Sequence, residues 1–448
     1  MTHQKSDQWT SRLGFILSSA GAAVGLGAIW KFPYMTGMNG GGAFFFLFIL
    51  FTVLIGLPIL IAEFIIGRGS QREAVSAYQF LAPKSGWTII GRWGVVGCFL
   101  LMSFYCVVGG WVLIYSILSI VGLVIQDQAN YQQLFATVSE NPFITLLGLA
   151  GFLVINIIVI SFGIKRGIEK STKVLMPLLF IFFIIIVFRS VTFEGAMEGI
   201  KFFLQPDFSQ ITREGILYAL GQSFFSLAVG FSTMVTYSSY LGKDVSLPMS
   251  AASVSLMNIV ISLLAGLAIF PVVFSFGLTP AEGPGLLFMV LPEAFGQMPF
   301  GEVFLSLFLL LFLFAIMTSS FSMLEIITSA FTANQKNSRT KVASIAGVVI
   351  FFAGIPAALS SSYMSHIKIF GLTVFDATDF LVSNILLPGG CLLIALFIGF
   401  KMDKALMKKE FYYSNNLPAG MFPIWLQIMR WIVPVTIIIV FLGSLGIL

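Results

Sequence analysis

The sequence predicts an all-α polytopic membrane protein with eleven transmembrane helices, ten of them forming a 5+5 inverted repeat whose helices 1 and 6 are broken. Three observations predict it. Of 448 residues, 58% are hydrophobic and only 10% charged, and the mean hydropathy is +0.99; a soluble domain carries about 25% charged residues. The apolar residues are gathered into runs long enough to cross a bilayer. Two of those runs are interrupted by small and polar residues at matching places.

A spanning helix needs about 20 mostly apolar residues, because only a helix or a closed barrel satisfies its own backbone hydrogen bonds in lipid. Such runs fall near 13–37, 42–67, 88–124, 143–162, 166–189, 215–241, 249–277, 302–333, 342–359, 373–400 and 421–446. They read as one integral membrane domain over 1–448, with a first repeat at about 10–190, a second at about 213–400 and an extra helix at about 421–446. A signal peptide, suggested by Lys5 and Arg12 before an apolar run containing Ala20, Ala22 and Ala23, is not expected, because the run Leu13–Leu17 is too short for its apolar core and the hydrophobic pattern continues past it.

An odd number of spans puts the two termini on opposite sides, and basic residues favour the cytoplasmic side. With the N-terminus inside, eighteen Lys and Arg lie in cytoplasmic segments, among them Arg68, Lys165, Arg166, Lys341, Lys404 and Lys408; five, Lys31, Arg189, Lys201, Arg213 and Lys368, lie outside, with Arg430 within the last span. The net charge of +5 is therefore an orientation signal, with the C-terminus outside, and no nucleic-acid partner is implied. Cys98, Cys106 and Cys391 sit in apolar runs and form no metal pair. The only histidines are His3 and His366, outside the spans, so an intramembrane enzyme lacks a nucleophile–base or metal set.

The first run holds Gly21, Gly25 and Gly27 within seven residues, each weakening a helix by roughly 1 kcal/mol relative to Ala. The sixth holds Ser226-Leu-Ala-Val-Gly-Phe-Ser232. Interruptions five helices apart point to an inverted-repeat transporter with its site at the bilayer midplane. An unwound turn exposes N–H groups at one half-helix and carbonyls at the other, so an anion and a cation can be held together. Glycines that merely allow close helix packing are the alternative for either span alone.

Specific residues carry a family resemblance. Ala23-Val-Gly-Leu-Gly-Ala-Ile-Trp-Lys-Phe-Pro-Tyr34, Asn39-Gly-Gly-Gly-Ala-Phe44, Gly221-Gln-Ser-Phe-Phe-Ser226, Thr236-Tyr-Ser-Ser-Tyr240, Thr318-Ser-Ser320 and Asp379-Phe380 resemble the signatures of the neurotransmitter:sodium symporter family. Eleven spans resemble its bacterial amino-acid transporter branch, which implies a bacterial cytoplasmic membrane, a small amino-acid substrate and a monomer or weak homodimer in the bilayer. The resemblance implies that the substrate carboxylate meets the N–H groups of Leu26 and Gly27 and the Tyr105 hydroxyl, and that its amino group meets carbonyls of Ala23, Phe225 and Ser226. Leu101, Tyr105, Phe225, Ala228, Phe231, Ser319 and Met323 would line the side-chain pocket. Amine-carrying relatives place an Asp where this chain has Gly25. An uncharged pocket suits a neutral hydrophobic or aromatic L-amino acid.

The resemblance also implies sodium. A second-site set, the carbonyls of Gly21, Val24 and Ala315 with the hydroxyls of Thr318 and Ser319, is all oxygen and fits a hard cation; the hydroxyls could instead bond their own helix at i−4. The first site would use Ala23, Ser226 and Asn258, but Ala28 replaces a signature Asn. Chloride would use Gln222, Ser226, Asn258 and Ser262, but Phe48 replaces the expected Tyr. Either both ions bind at sites missing one ligand each, or the first sodium and the chloride are lost together; the second reading is preferred, since removing a cation removes the need for its counter-anion. Sodium is thus expected at one site, with a second sodium and chloride open.

The gates follow the same resemblance. Lys31 replaces an Arg opposite Asp379, with Phe231 as the lid, and Lys cannot form the bidentate fork. On the cytoplasmic side Trp9 and Tyr240 match, whereas Ser6 and Ala333 stand where the family has an ion pair, with Lys5 as a partial substitute; a looser cytoplasmic closure is expected. Glu63 and Glu325 lie within spans and are read as bracing broken helices through backbone groups. Gly167 and Pro177 are expected to unwind the cytoplasmic end of helix 5. The implied activity is sodium-driven uptake, with a carrier of a small osmolyte or modified amino acid, or a non-transporting sensor, as alternatives.

Overall fold

Every apolar run forms a helix in the computed structural model, which describes residues 8–126, 130–278, 285–332 and 338–444. In chain order the helices are α1 (Arg12–Ala23), α2 (Gly27–Met38), α3 (Gly42–Ser70), α4 (Ala74–Leu81), α5 (Thr88–Ile120), α6 (Tyr131–Glu140), α7 (Pro142–Ser161), α8 (Ile164–Ser190) and α9 (Ala196–Leu204). They continue as α10 (Arg213–Ser226), α11 (Thr233–Ser239), α12 (Leu247–Ser275), α13 (Leu286–Gly296), α14 (Gly301–Thr332), α15 (Arg339–Ala358), α16 (Val374–Phe400), α17 (Lys404–Tyr412) and α18 (Met421–Gly443). Among the described residues there is no strand, only the isolated bridges Gly41–Pro206 and Ile369–Leu372.

Nine of these helices are long and apolar enough to span alone. The expected broken pair of α1 with α2 makes a tenth, and α10 with α11 is interrupted as expected. The first pair bends by 53° at Val24, whose ψ of 97° is extended. The second is interrupted over 227–232, where Ala228, Gly230 and Ser232 take φ of 51°, 100° and 57°. Left-handed conformations strain any residue but glycine, so this turn persists only because its surroundings hold it.

Five of the six wide π-helical turns have a common cause. Gly27–Lys31, Thr52–Gly56, Leu286–Val290, Leu381–Leu386 and Ile428–Ile432 each end two residues before a proline, at Pro33, Pro58, Pro292, Pro388 and Pro434. A proline offers no N–H to the preceding turn and its ring crowds the carbonyl there, so the turn widens and the helix continues. The sixth, Ile164–Glu169, contains Gly167. Contrary to expectation, the end of α8 remains helical: it follows Gly163 at φ 78° with a wide turn, and Gly167 lies directly against the Val159 carbonyl.

The core sits where the broken helices meet their long neighbours. α1 packs on α8, α12 and α14; α11 packs on α3; α5 packs on α14 and α7. The outer faces of α7 and α8 expose Phe143, Ile158 and Phe188, as suits lipid contact.

Candidate substrate and ion sites

Named side chains start both broken pairs and hold the second break. Ser11 accepts from the Gly14 N–H and Thr212 from the Gly215 N–H, starting α1 and α10. The fully buried Glu63 of α3 accepts from the backbone N–H groups of Gly230 at 2.7 Å and Met234 at 3.1 Å, which satisfies the orphan donors where α11 begins. Glu63 therefore braces a broken helix as expected. The Ser232 hydroxyl, in the same turn, is 2.9 Å from that of Tyr78.

A cavity of about 20 Å³ lies between the breaks, α5 and α14. Of the expected substrate residues, Ala23, Gly25, Leu26, Gly27, Leu101, Tyr105, Phe225, Ala228, Phe231, Ser319 and Met323 line it. Ser226 does not; its hydroxyl accepts from Asn258 Nδ2 at 3.0 Å, behind the cavity wall. The Leu26 N–H donates to the Tyr105 hydroxyl at 3.3 Å, so two groups expected to bind a carboxylate converge. A Cβ on Gly25 would stand 2.7 Å from Ser319 Cβ and Oγ and meet the Tyr105 hydroxyl, leaving no room for any larger residue.

The cavity also contains residues that sequence reasoning missed: Ala22, Cys98, Thr233, Ser322 and Leu387. Cys98 precedes Leu101 by three residues and Tyr105 by seven, so helical periodicity on α5 was a usable signal. Leu387 comes from α16, whose apolar run carries no mark of it.

The second-sodium set meets at the contact of α1 with α14. Gly21 has Thr318 directly opposite, with the position of a Cβ 3.2 Å from Thr318 Oγ1. Ser319 donates across the interface to the Ala22 carbonyl at 3.0 Å, whereas Thr318 donates within its helix to the Ala315 carbonyl at 3.0 Å, at i−3. Val24 is fully buried beside them. Around α12, Asn258 Oδ1 and Ser262 Oγ are buried with no hydrogen-bond partner. Gln222 instead donates to the Gly27 carbonyl at 2.6 Å, Ala28 is fully buried, and the Phe48 ring lies tilted against Phe32 with centroids 4.9 Å apart.

On the face opposite the N-terminus, Lys31 Nζ lies 3.2 Å from Asp379 Oδ2, 3.3 Å from Oδ1 and 3.1 Å from Ser383 Oγ. Beyond the cavity on this side lies a vestibule of about 190 Å³. The lid differs from expectation. Phe225, not Phe231, separates vestibule from cavity: it lines both and carries Lys31 Nζ 4.9 Å from its ring centroid. The left-handed turn at Gly230 sends Phe231 the other way, onto Gly94 and Gly97 of α5.

On the N-terminal face, Trp9 Nε1 donates to the Tyr237 carbonyl at 2.8 Å and its N–H to the Tyr240 carbonyl at 3.3 Å. The Tyr240 hydroxyl donates to Glu325 Oε1 at 2.8 Å, and Arg339 pairs with Glu325 Oε2. This corrects the expectation for Glu325, which takes side-chain partners where backbone bracing was expected; Arg339, at the start of α15, supplies the charge. Ser6, Lys5 and Ala333 lie outside the described residues.

The profile of the Sodium:neurotransmitter symporter family matches residues 6–141 and 143–445. An uncharacterized sodium-dependent transporter of Bacillus subtilis, YhdH, is 51% identical, with all of both chains covered; one of Haemophilus influenzae is 38% identical, with 99% of each covered. The crystal structure of MhsT in complex with L-phenylalanine superposes with a TM-score of 0.92 at 40% identity, covering 98% of this chain and 99% of that one. Broken helices around one cavity, a match over nearly the whole length and this superposition lead to one conclusion: the chain is a multi-pass, sodium-dependent membrane transporter of the sodium:neurotransmitter symporter family.

Proposed function

We propose that this transporter takes up a neutral hydrophobic or aromatic L-amino acid, with the N-terminus and the basic loops on the cytoplasmic side of a bacterial inner membrane. The observation that carries the reading is the cavity itself. Its wall is uncharged and mostly apolar, the Leu26 N–H at the helix break donates to the Tyr105 hydroxyl at 3.3 Å, and Gly25 leaves no room for the carboxylate that an amine substrate would need. An amino acid brings its own carboxylate, and the helix break offers donors to it. The similarity to MhsT, whose crystal structure is a complex with L-phenylalanine, supports the same substrate class.

For the ions we infer two sodium sites and no chloride requirement. Thr318, Ser319 and the carbonyls around Gly21 supply a set of oxygens suited to one hard cation. The partnerless, buried Asn258 Oδ1 supports a second, because an orphaned buried acceptor costs about 1–3 kcal/mol that a cation would recover. This favours the retained first site over the vacant one. Chloride finds less: Gln222 and Asn258 already donate to protein acceptors, and Phe48 has no hydroxyl.

Proteoliposomes under an inward sodium gradient test the reading. They should accumulate L-phenylalanine, and the accumulation should collapse when a sodium ionophore dissipates the gradient. Uptake that persists without sodium would contradict it.

A further inference from the structure

We propose that α17 is an interfacial helix that docks the transporter onto anionic phospholipid headgroups of the cytoplasmic leaflet. The proposal rests on the orientation inferred above for the basic loops.

The helix is sharply two-faced. Met407, Glu410 and Phe411 are buried against the bundle, whereas Lys404, Lys408 and Lys409 are exposed, as is Lys401 just before the helix. Among the described residues none of these four lysines forms an ion pair. The acidic residues nearby do not neutralise them. Glu410 is turned inward onto Arg68 at 2.6 Å, both groups being buried; Asp403 accepts the Leu406 N–H at 2.7 Å as the helix cap; the exposed Asp244 has Lys243 beside it in the chain. An uncompensated basic face thus remains on a short amphipathic helix.

Its position selects the partner. α17 joins two spans, α16 and α18, so it can only lie at the membrane surface. Phe400, immediately before Lys401, is 58% exposed and packs edge-on against Trp431, 61% exposed, at 5.9 Å. Aromatic rings facing lipid beside basic side chains mark the headgroup level. Lysines there are drawn to an anionic leaflet within a Debye length of its surface.

The surface is tied to the transport machinery through one helix. Arg68 donates to Glu410 through Nε at 2.6 Å and to the Glu410 carbonyl at 2.9 Å, and also reaches the Val245 carbonyl. Five residues earlier on α3, Glu63 holds the unwound turn of helix 6. A lipid contact at α17 therefore bears on the element that braces the cavity.

The full chain, purified in neutral detergent, is titrated with phosphatidylglycerol and in parallel with phosphatidylcholine while Tm is followed. A ligand that binds the folded state raises Tm. Phosphatidylglycerol should raise it further than phosphatidylcholine, high salt should shrink the difference, and the variant K401Q/K404Q/K408Q/K409Q should lose most of it while keeping its Tm in phosphatidylcholine. Should the quadruple variant fail to fold, K404Q/K408Q and the salt dependence of the unmodified chain decide the matter. A variant with the full phosphatidylglycerol shift, a shift insensitive to salt, or equal protection by soluble glycerol phosphate would overturn the proposal. Protection by sodium with L-phenylalanine, measured on the same samples, reports on the substrate reading separately.

Discussion

The Gly230 N–H donates to the Glu63 carboxylate at 2.7 Å, so a carboxylate buried in the second span holds open the break in the sixth. Its other oxygen takes the Met234 N–H. Glu63→Gln keeps the shape but presents an amide hydrogen to one of these donors, which loses its partner. A cost of about 1–3 kcal/mol is expected. Thermal unfolding should show a lowered Tm, and sodium-dependent ligand binding should weaken with it; an unchanged Tm would contradict the bracing role.

Tyr105→Phe removes the hydroxyl that meets the Leu26 N–H. A hydrogen bond to a charged group contributes about 1.5–3 kcal/mol, so substrate affinity should fall by roughly tenfold or more, and sodium-free stability should also drop because the buried Leu26 N–H loses its partner. Equilibrium binding across a ligand titration checks this.

Much of this site was legible before any coordinates, for a physical reason. A helix break needs small residues, and the glycines at 21, 25 and 27 and the stretch 226–232 announce it locally. Apolar runs likewise carry their own signal, so the nine helices long enough to span alone and the first broken pair fall where expected. Errors arose where direction matters more than position. Whether Phe225 or Phe231 closes the outer side depends on left-handed φ values at Ala228, Gly230 and Ser232, which no periodicity encodes. Arg339 carries no local mark of its role, because its pairing with Glu325 joins two helices across a connection.

Among the described residues, Arg339→Gln would leave the buried Glu325 carboxylate with the Tyr240 hydroxyl alone. Removing one member of a fully buried pair costs about 3–5 kcal/mol; with Arg339 partly exposed the cost is smaller, and the strain falls on the closure beside Trp9. A cysteine introduced at Thr10 should react faster with a cytoplasmic thiol reagent in the variant than in the parent, in sodium. Equal rates would show that Trp9 and Tyr237 close this side without the ion pair.

Asn258→Ala removes the orphaned Oδ1. Paired flux measurements with labelled sodium and substrate should give two sodium ions per substrate in the parent chain and fewer in the variant. Replacing chloride by gluconate should leave uptake unchanged. A ratio of one in the parent would restore the reading in which the first sodium site is vacant.

The most direct measurement is equilibrium binding of each of the twenty amino acids to the purified chain, in sodium and again in potassium. Sodium-dependent binding confined to hydrophobic and aromatic L-amino acids is the predicted result. Binding equally strong in potassium, or preference for a charged side chain or an amine lacking the carboxylate, would contradict the account.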